Sequence, residues 1–243
     1  MVAGTLAKAG YFMGDALYPA RHSNPKGFFE DPEINDINEQ ILSLVRHKDI
    51  PLLARIFKRK MVDEHFALAD THRWLDRVPF GTKISSAPEI NERIRKAAQR
   101  APFCFKDPRF SYTLPVWRPF LKDCVFICVF REPAATAKSI VKECQDIDHL
   151  RSEKMSFQIA LEIWTLMYRH ILEVQSKEGQ WLFIHFNQVL AQDGLDRLEQ
   201  FTGAPVDRSF PDAAFRRSLS DRSVGSEAMQ MYKTLCGLAG YKD

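Results

Sequence analysis

Two short strings in this chain place positive charge just after an apolar run, where a turn or helix start also offers backbone donors. One is Lys106-Asp107-Pro108-Arg109, following Phe103-Cys104-Phe105; the other is Arg131-Glu132-Pro133, following Val125-Phe126-Ile127-Cys128-Val129-Phe130. A third run, Trp181-Leu182-Phe183-Ile184-His185-Phe186, leads into Asn187-Gln188. Pro133 suits the first turn of a helix, because its φ is pre-set and its missing N–H has no intrahelical use there. The free N–H groups and the dipole of that helix would add to the charge of Arg131, a combination that holds anions. Within the helix, Ala134, Ala137 and Val141 mark the buried stripe, and Ser139 points away from it as a possible second phosphate ligand. Phosphate or sulfate chemistry is the class suggested. The plainer alternative makes Ser139 a solvated helix serine and pairs Arg131 with a neighbouring acid.

The elements that must carry these residues follow from periodicity. The three apolar runs are short and rich in β-branched and aromatic residues, as in strands buried on both faces. Helical stretches separate them, so we expect an α/β fold, a parallel sheet flanked by helices, with ligands beyond the carboxyl ends of the strands. Residues Met1–Ala9 are Ala-rich and helical in character, without an N-cap before them. From Tyr11 to Asp31, Gly14, Pro19, Asn24, Pro25 and Gly27 predict a loop. Ile34, Ile37, Ile41, Leu44 and Val45 recur at helical spacing from Glu33 onward. A second helix is expected over 62–77, and another after Pro88, with Ile90 and Ile94 inward, ending before Pro102.

Composition narrows the function classes. At 243 residues, 45% hydrophobic and 27% charged, the chain fits one globular domain over residues 1–243. Lys plus Arg number 34 against 31 Asp plus Glu, and a net charge of +3 argues against non-specific nucleic-acid binding. The longest apolar run, Cys124 to Phe130, has seven residues, whereas a membrane span needs about twenty. No secretory signal opens the sequence, and five cysteines without C-x-x-C spacing fit reduced thiols in a cytoplasmic protein.

The order of these strings adds a resemblance. FREPAATAKSI, with Arg131, Pro133 and Ser139 in R-x-P-x5-S spacing, resembles the 3′-phosphate-binding element of sulfotransferases that use 3′-phosphoadenosine 5′-phosphosulfate (PAPS). CFKDPRFSYTLPVW is similar to the Lys-Asp-Pro segment of the tyrosylprotein and bacterial branch, GYFMGDALYPARHSNPKGFFEDPEINDINEQIL to the stretch after the first helix, and WLFIHFNQVLAQDGLDRLEQFTGAPV to a later strand and helix. The likeness spans roughly residues 4 to 206. It implies a P-loop-like parallel sheet, PAPS as cosubstrate without a metal, and a hydroxyl-bearing acceptor such as a carbohydrate, small molecule or peptide. The family begins with a strand and a Gly- and Ser/Thr-containing phosphosulfate loop, which this sequence lacks, and no G-x-x-x-x-G-K-[ST] turn stands in for it. The expectation is that an upstream in-frame segment supplies the strand and loop, unless the donor cradle has been lost.

By the same resemblance, Lys106 would reach the leaving phosphate of the donor, and Arg131 with Ser139 would hold its 3′-phosphate. Glu30, in NPKGFFED, stands about where the carboxylate branch places its general base, and enclosed between Phe28, Phe29 and the donor it would shed water and gain basicity. The alternatives are a surface Lys106 paired with Asp107, and Glu30, Asp31 and Glu33 merely favouring the next helix N-terminus. His170 and His185 read as core or surface residues. His65 and His72 with Asp63, Glu64 and Asp70 match no usual metal set and read as a solvated helix face. Arg216, Arg217 and Arg222 near Ser218, Ser220 and Ser223 form a basic loop before the final helix. A competing reading is a non-catalytic nucleotide-binding or interaction protein. An unrelated kinase or glycosyltransferase is disfavoured by the missing Walker lysine and Asp-x-Asp motif.

Overall fold

The computed structural model describes residues 1–22, 24–57, 72–215 and 220–242. Helix α1 (Val2–Lys8) opens the chain, with Met1 at its N-cap making no side-chain cap bond. The turn-rich segment to Asp31 follows as irregular chain. Helix α2 (Pro32–Ser43) starts where Asp31 accepts hydrogen bonds from the N–H groups of Glu33, at 2.8 Å, and Ile34, at 3.3 Å, with Pro32 in the first turn. Its stripe of Ile34, Ile37 and Ile41 is buried against Ile90 and Ile94 of α4 (Pro88–Ala97) and Leu114, Val116 and Trp117 of α5 (Phe110–Trp117). Between them lies the short α3 (Leu52–Phe57). Of the helix expected over 62–77, residues 62–71 lie outside the described residues, and Arg73–Leu75 forms a single 3₁₀ turn.

The described residues carry a two-stranded parallel sheet. Strand β1 (Val125–Phe130) pairs with β2 (Gln180–His185) in a register that runs from Val125↔Gln180 to Phe130↔His185, so the two carboxyl ends are level. Helices α6 (Pro133–Asp146) and α7 (Phe157–Glu173) lie between them in sequence. The one-turn α8 (Phe186–Val189), α9 (Gln192–Thr202) and α10 (Ser226–Ala239) follow. Alternate strand residues serve opposite faces, as the two-residue period requires. Cys128, Phe130 and Phe183 pack with Ala137, Trp164 and Tyr232 of α6, α7 and α10. Leu182 and Ile184 pack with Leu6 of α1 and Leu198 of α9 on the other face.

This is a mixed α/β arrangement with a smaller sheet than the sequence predicts. Phe103–Phe105, expected as a strand, forms only an isolated parallel bridge between Phe103 and Phe12. Phe12 N–H donates to the Pro102 carbonyl and Cys104 N–H to the Phe12 carbonyl, both at 2.9 Å. The pairing stops there because Gly10 (φ 98°) and Gly14 (φ 136°) turn the partner segment away on either side of Phe12. A side chain at Gly14 would also collide with Asp31, whose Cβ lies 2.2 Å from where a Cβ would stand. On β1, Val125 and Val129 remain 37% and 38% exposed. No helix among the described residues is long and apolar enough to cross a membrane.

Candidate functional site

Glu30 and Lys106 meet, although 76 residues separate them: Lys106 Nζ donates to Glu30 Oε1. The local sequence explains why Glu30 is available. Asp31, not Glu30, serves the start of α2, its Oδ1 taking the Glu33 and Ile34 amides and its Oδ2 the Ala16 amide at 2.8 Å. Phe29 adopts φ 54°, a left-handed backbone that few side chains take, and its ring meets Phe210 edge-on at 5.3 Å. Glu30 Oε2 accepts from Asn35 Nδ2 at 3.0 Å, one turn into α2. The carboxylate side chain is 13% exposed and the lysine side chain 42% exposed, so the carboxylate is enclosed and the ammonium end of the pair faces outward. Tyr18, whose N–H donates to the Glu30 carbonyl at 3.0 Å, leaves its ring partly exposed beside them. Burial raises its phenol, with Glu30 and Asp107 adding to the shift and Arg109 opposing it.

Directly after Lys106 the chain is anchored inward. Asp107 is fully enclosed and accepts from Arg109 N–H at 2.8 Å, Arg109 Nη1 at 2.9 Å and Asn38 Nδ2 at 2.9 Å. Asn38 Oδ1 in turn accepts from Thr113 Oγ1 at 2.7 Å and Trp117 Nε1 at 2.8 Å. Arg109 continues to Glu39 through Nε at 2.8 Å and Nη2 at 2.5 Å. Glu39 also accepts from the Arg73 amide at 3.0 Å, and Arg73 lies 3.7 Å from Asp76. The alternative pairing of Lys106 with Asp107 is therefore replaced: Asp107 belongs to Arg109 and Asn38, and Lys106 to Glu30. Asn35, Asn38 and Glu39 escaped the sequence reading. Their signal was polar residues set immediately beside the Ile34, Ile37, Ile41 stripe, on a helix flank that a neighbouring segment buries.

Three carboxylates and two guanidinium groups share this interior, and burial raises two of the carboxyls, Asp76 and Asp107. Desolvation pushes Asp76 up to about 8, with Arg73 and Arg109 opposing it and Glu39 aiding it. It pushes Asp107 to about 6 against the pull of Arg109 and Asn38. A carboxyl raised in the folded state binds a proton there that the unfolded chain has already released. Stability therefore falls as pH rises from the unfolded value near 3.8 to about 8. Above pH 7, where Asp107 is largely ionised, the decline that this network contributes belongs to Asp76. Chemical denaturation at pH 7 and 8.5 should show the wild type losing stability relative to Asp76→Asn; parallel changes would remove Asp76 from the account.

The second basic string is placed differently from expectation in one respect. Glu132 caps α6 with its own carboxylate, accepting from the N–H of Ala134 at 2.9 Å and of Ala135 at 2.6 Å. Those donors, expected to await an anion, already hold one. Arg131, at the end of β1, stands over the ring of Phe186, 5.2 Å from its centroid, at the level end of β2. Ser139 lies on the exposed side of α6, away from buried Ala134 and Ala137. The Glu30–Lys106 pair and the residues Arg131 and Ser139 are thus carried by separate segments, the first by the ends of the 11–31 loop and the 103–105 segment, the second by the end of β1 and by α6.

His170 and His185 take structural places. His170 is buried, with Nε2 3.1 Å from the Val78 carbonyl, and burial lowers it to about 4. His185 closes β2 and caps α8: its Nδ1 accepts from Asn187 N–H at 3.2 Å while its ring stacks on Tyr241 at 3.8 Å. His65, Asp63, Glu64 and Asp70 lie outside the described residues, as do Arg216, Arg217 and Ser218. Among the described residues, no group of three or more His, Cys, Asp or Glu is placed to hold a metal. A shallow depression of about 500 Å³ at the end of α9 is lined by Asp196 and Glu199, which pair with Arg208; its sign does not suit an anion. Chemically, the Glu30–Lys106 arrangement offers a fixed carboxylate beside a movable ammonium. Comparison with protein-family models, with curated proteins and with solved structures found no match.

Proposed function

We propose that this chain is a PAPS-dependent sulfotransferase, a single P-loop-like α/β domain that moves a sulfuryl group to an acceptor hydroxyl. The observation that carries the reading is the meeting of Glu30 with Lys106. A carboxylate beside an ammonium is what an in-line displacement requires of a protein, one group to take a proton and one to neutralise the departing phosphate. The acceptor oxygen attacks sulfur as the bond from sulfur to the phosphate oxygen breaks. Glu30 receives the hydroxyl proton and Lys106 stabilises the negative charge collecting on the 5′-phosphate of the leaving nucleotide. Arg131 and Ser139 hold the 3′-phosphate, with Phe186 beside the guanidinium as a flat apolar surface.

Binding of adenosine 3′,5′-bisphosphate and of adenosine 5′-phosphate, measured by calorimetry, tests the nucleotide part. Loss of one charge-assisted hydrogen bond costs about 1.5 to 3 kcal/mol, roughly tenfold to a hundredfold in affinity. Arg131→Ala and Ser139→Ala should weaken the bisphosphate by that order and leave the monophosphate nearly unchanged; equal losses would assign both residues to the fold. Release of bisphosphate from PAPS, followed with phenol, monosaccharide and tyrosine-peptide acceptors, tests turnover. Tight nucleotide binding with no release on any acceptor would favour the non-catalytic reading.

A further inference from the structure

We propose that Glu30 and Lys106 form an exchangeable pair, in which the incoming donor phosphate takes Lys106 and thereby frees Glu30 to act as a base. The inference rests on the sulfotransferase reading and adds to it a control: the base is masked until the donor has bound.

The two partners differ in freedom. Glu30 is held at both ends of its reach, by its backbone carbonyl through Tyr18 and by Oε2 through Asn35 Nδ2 at 3.0 Å. Its side chain is mostly enclosed, whereas that of Lys106 is 42% exposed on a long flexible stem. When a phosphate competes for the ammonium, the lysine can move and the carboxylate cannot. Only Oε1 is vacated, and Asn35 keeps the group aimed. Losing a cation and gaining a phosphate as neighbour both favour the protonated carboxyl, so the freed group is the stronger base.

The surroundings agree with an anion being the trigger. The charged groups around the pair are Lys26 on the Lys106 side, and Asp31, Asp107 and Arg109 with the Tyr18 phenol on the Glu30 side. Lys26 is anchored by the Phe210 carbonyl and lies 3.8 Å from Asp212. Asp107 is locked by Arg109 and Asn38 and stays in place when Lys106 moves.

Proton linkage tests the exchange. Binding of adenosine 3′,5′-bisphosphate at pH 6 to 7.5 is measured by calorimetry in buffers of different ionisation enthalpy, for wild type, Glu30→Gln and Lys106→Met. Wild type should take up more protons per nucleotide than Glu30→Gln, since only it has the carboxylate that becomes basic on binding. Glu30→Gln, which keeps an acceptor for Asn35, should bind the nucleotide about three- to tenfold more tightly because the internal competitor for Lys106 is gone. Lys106→Met should bind at least about tenfold more weakly and show no more uptake than Glu30→Gln. Equal uptake and equal affinity in wild type and Glu30→Gln overturn the exchange while leaving the nucleotide reading intact. Pyrophosphate is the second probe: uptake with pyrophosphate but no preference for the bisphosphate keeps the exchange and removes the sulfotransferase reading. Absence of binding by either anion removes both.

Discussion

Glu30→Gln is expected to lower single-turnover sulfuryl transfer by about 10²- to 10⁴-fold, the usual contribution of a positioned general base. Nucleotide affinity should not fall. The glutamine preserves size and the oxygen that receives the Asn35 amide, and removes only the capacity to take a proton. Lys106→Ala should lower both turnover and nucleotide affinity, because the ammonium meets the donor before and during transfer. The asymmetry is the point of the test, since a merely structural ion pair would make the two variants alike. Rates measured with saturating donor, beside thermal midpoints for each variant, decide it. Near-normal turnover of Glu30→Gln would return that residue to the helix-terminal surroundings in which Asp31 already does the capping.

Glu39→Ala is expected to cost about 3 to 5 kcal/mol of stability, the penalty for leaving buried charge without its partner. Glu39 sits between two guanidinium groups: Arg109 reaches it at 2.5 and 2.8 Å and Arg73 lies 3.8 Å away. Truncation leaves Arg109 to share Asp107 alone, deep behind α2. The thermal midpoint should fall by roughly 10 °C for a chain of this size. Removing the exposed partner in the Arg95–Glu92 pair should change stability by less than about 0.5 kcal/mol, since water screens both groups. A Glu39→Ala midpoint within a degree or two of wild type would mean that solvent reaches Arg109 and that the network is not a dry anchor for the Lys106 segment.

How legible the fold was depended on the range of the interactions concerned. The stripe of Ile34, Ile37 and Ile41, the proline and acid at the start of α2, and the paired apolar runs of β1 and β2 all appear where periodicity and local caps put them. The helix stripe and its cap are settled by residues within one or two turns, so the sequence carries their cause, whereas β1 and β2 show their apolar character locally and find each other only in the fold. Phe103–Phe105 has the same apolar character yet makes a single bridge, because strand formation needs a partner and the glycines flanking Phe12 end the pairing.

The site divides along the same line. By itself, the sequence determined which residue types stand after the apolar runs and in the loop before α2, and hence that Glu30, Lys106, Arg131 and Ser139 merit attention. It also determined that Ser139 faces outward, since helical spacing alone sets that direction. Tertiary structure decided the partners. It gave Asp31 the capping role and Glu30 the lysine, turned Asp107 inward to Arg109 and Asn38, and set the Glu132 carboxylate on the helix amides that had been expected to receive a ligand. A charge can choose among several partners of opposite sign, and near neighbours in sequence offer nearly equal choices. Burial removes that equality, because in a low-dielectric interior the pair with complete hydrogen bonding is favoured over one merely close along the chain.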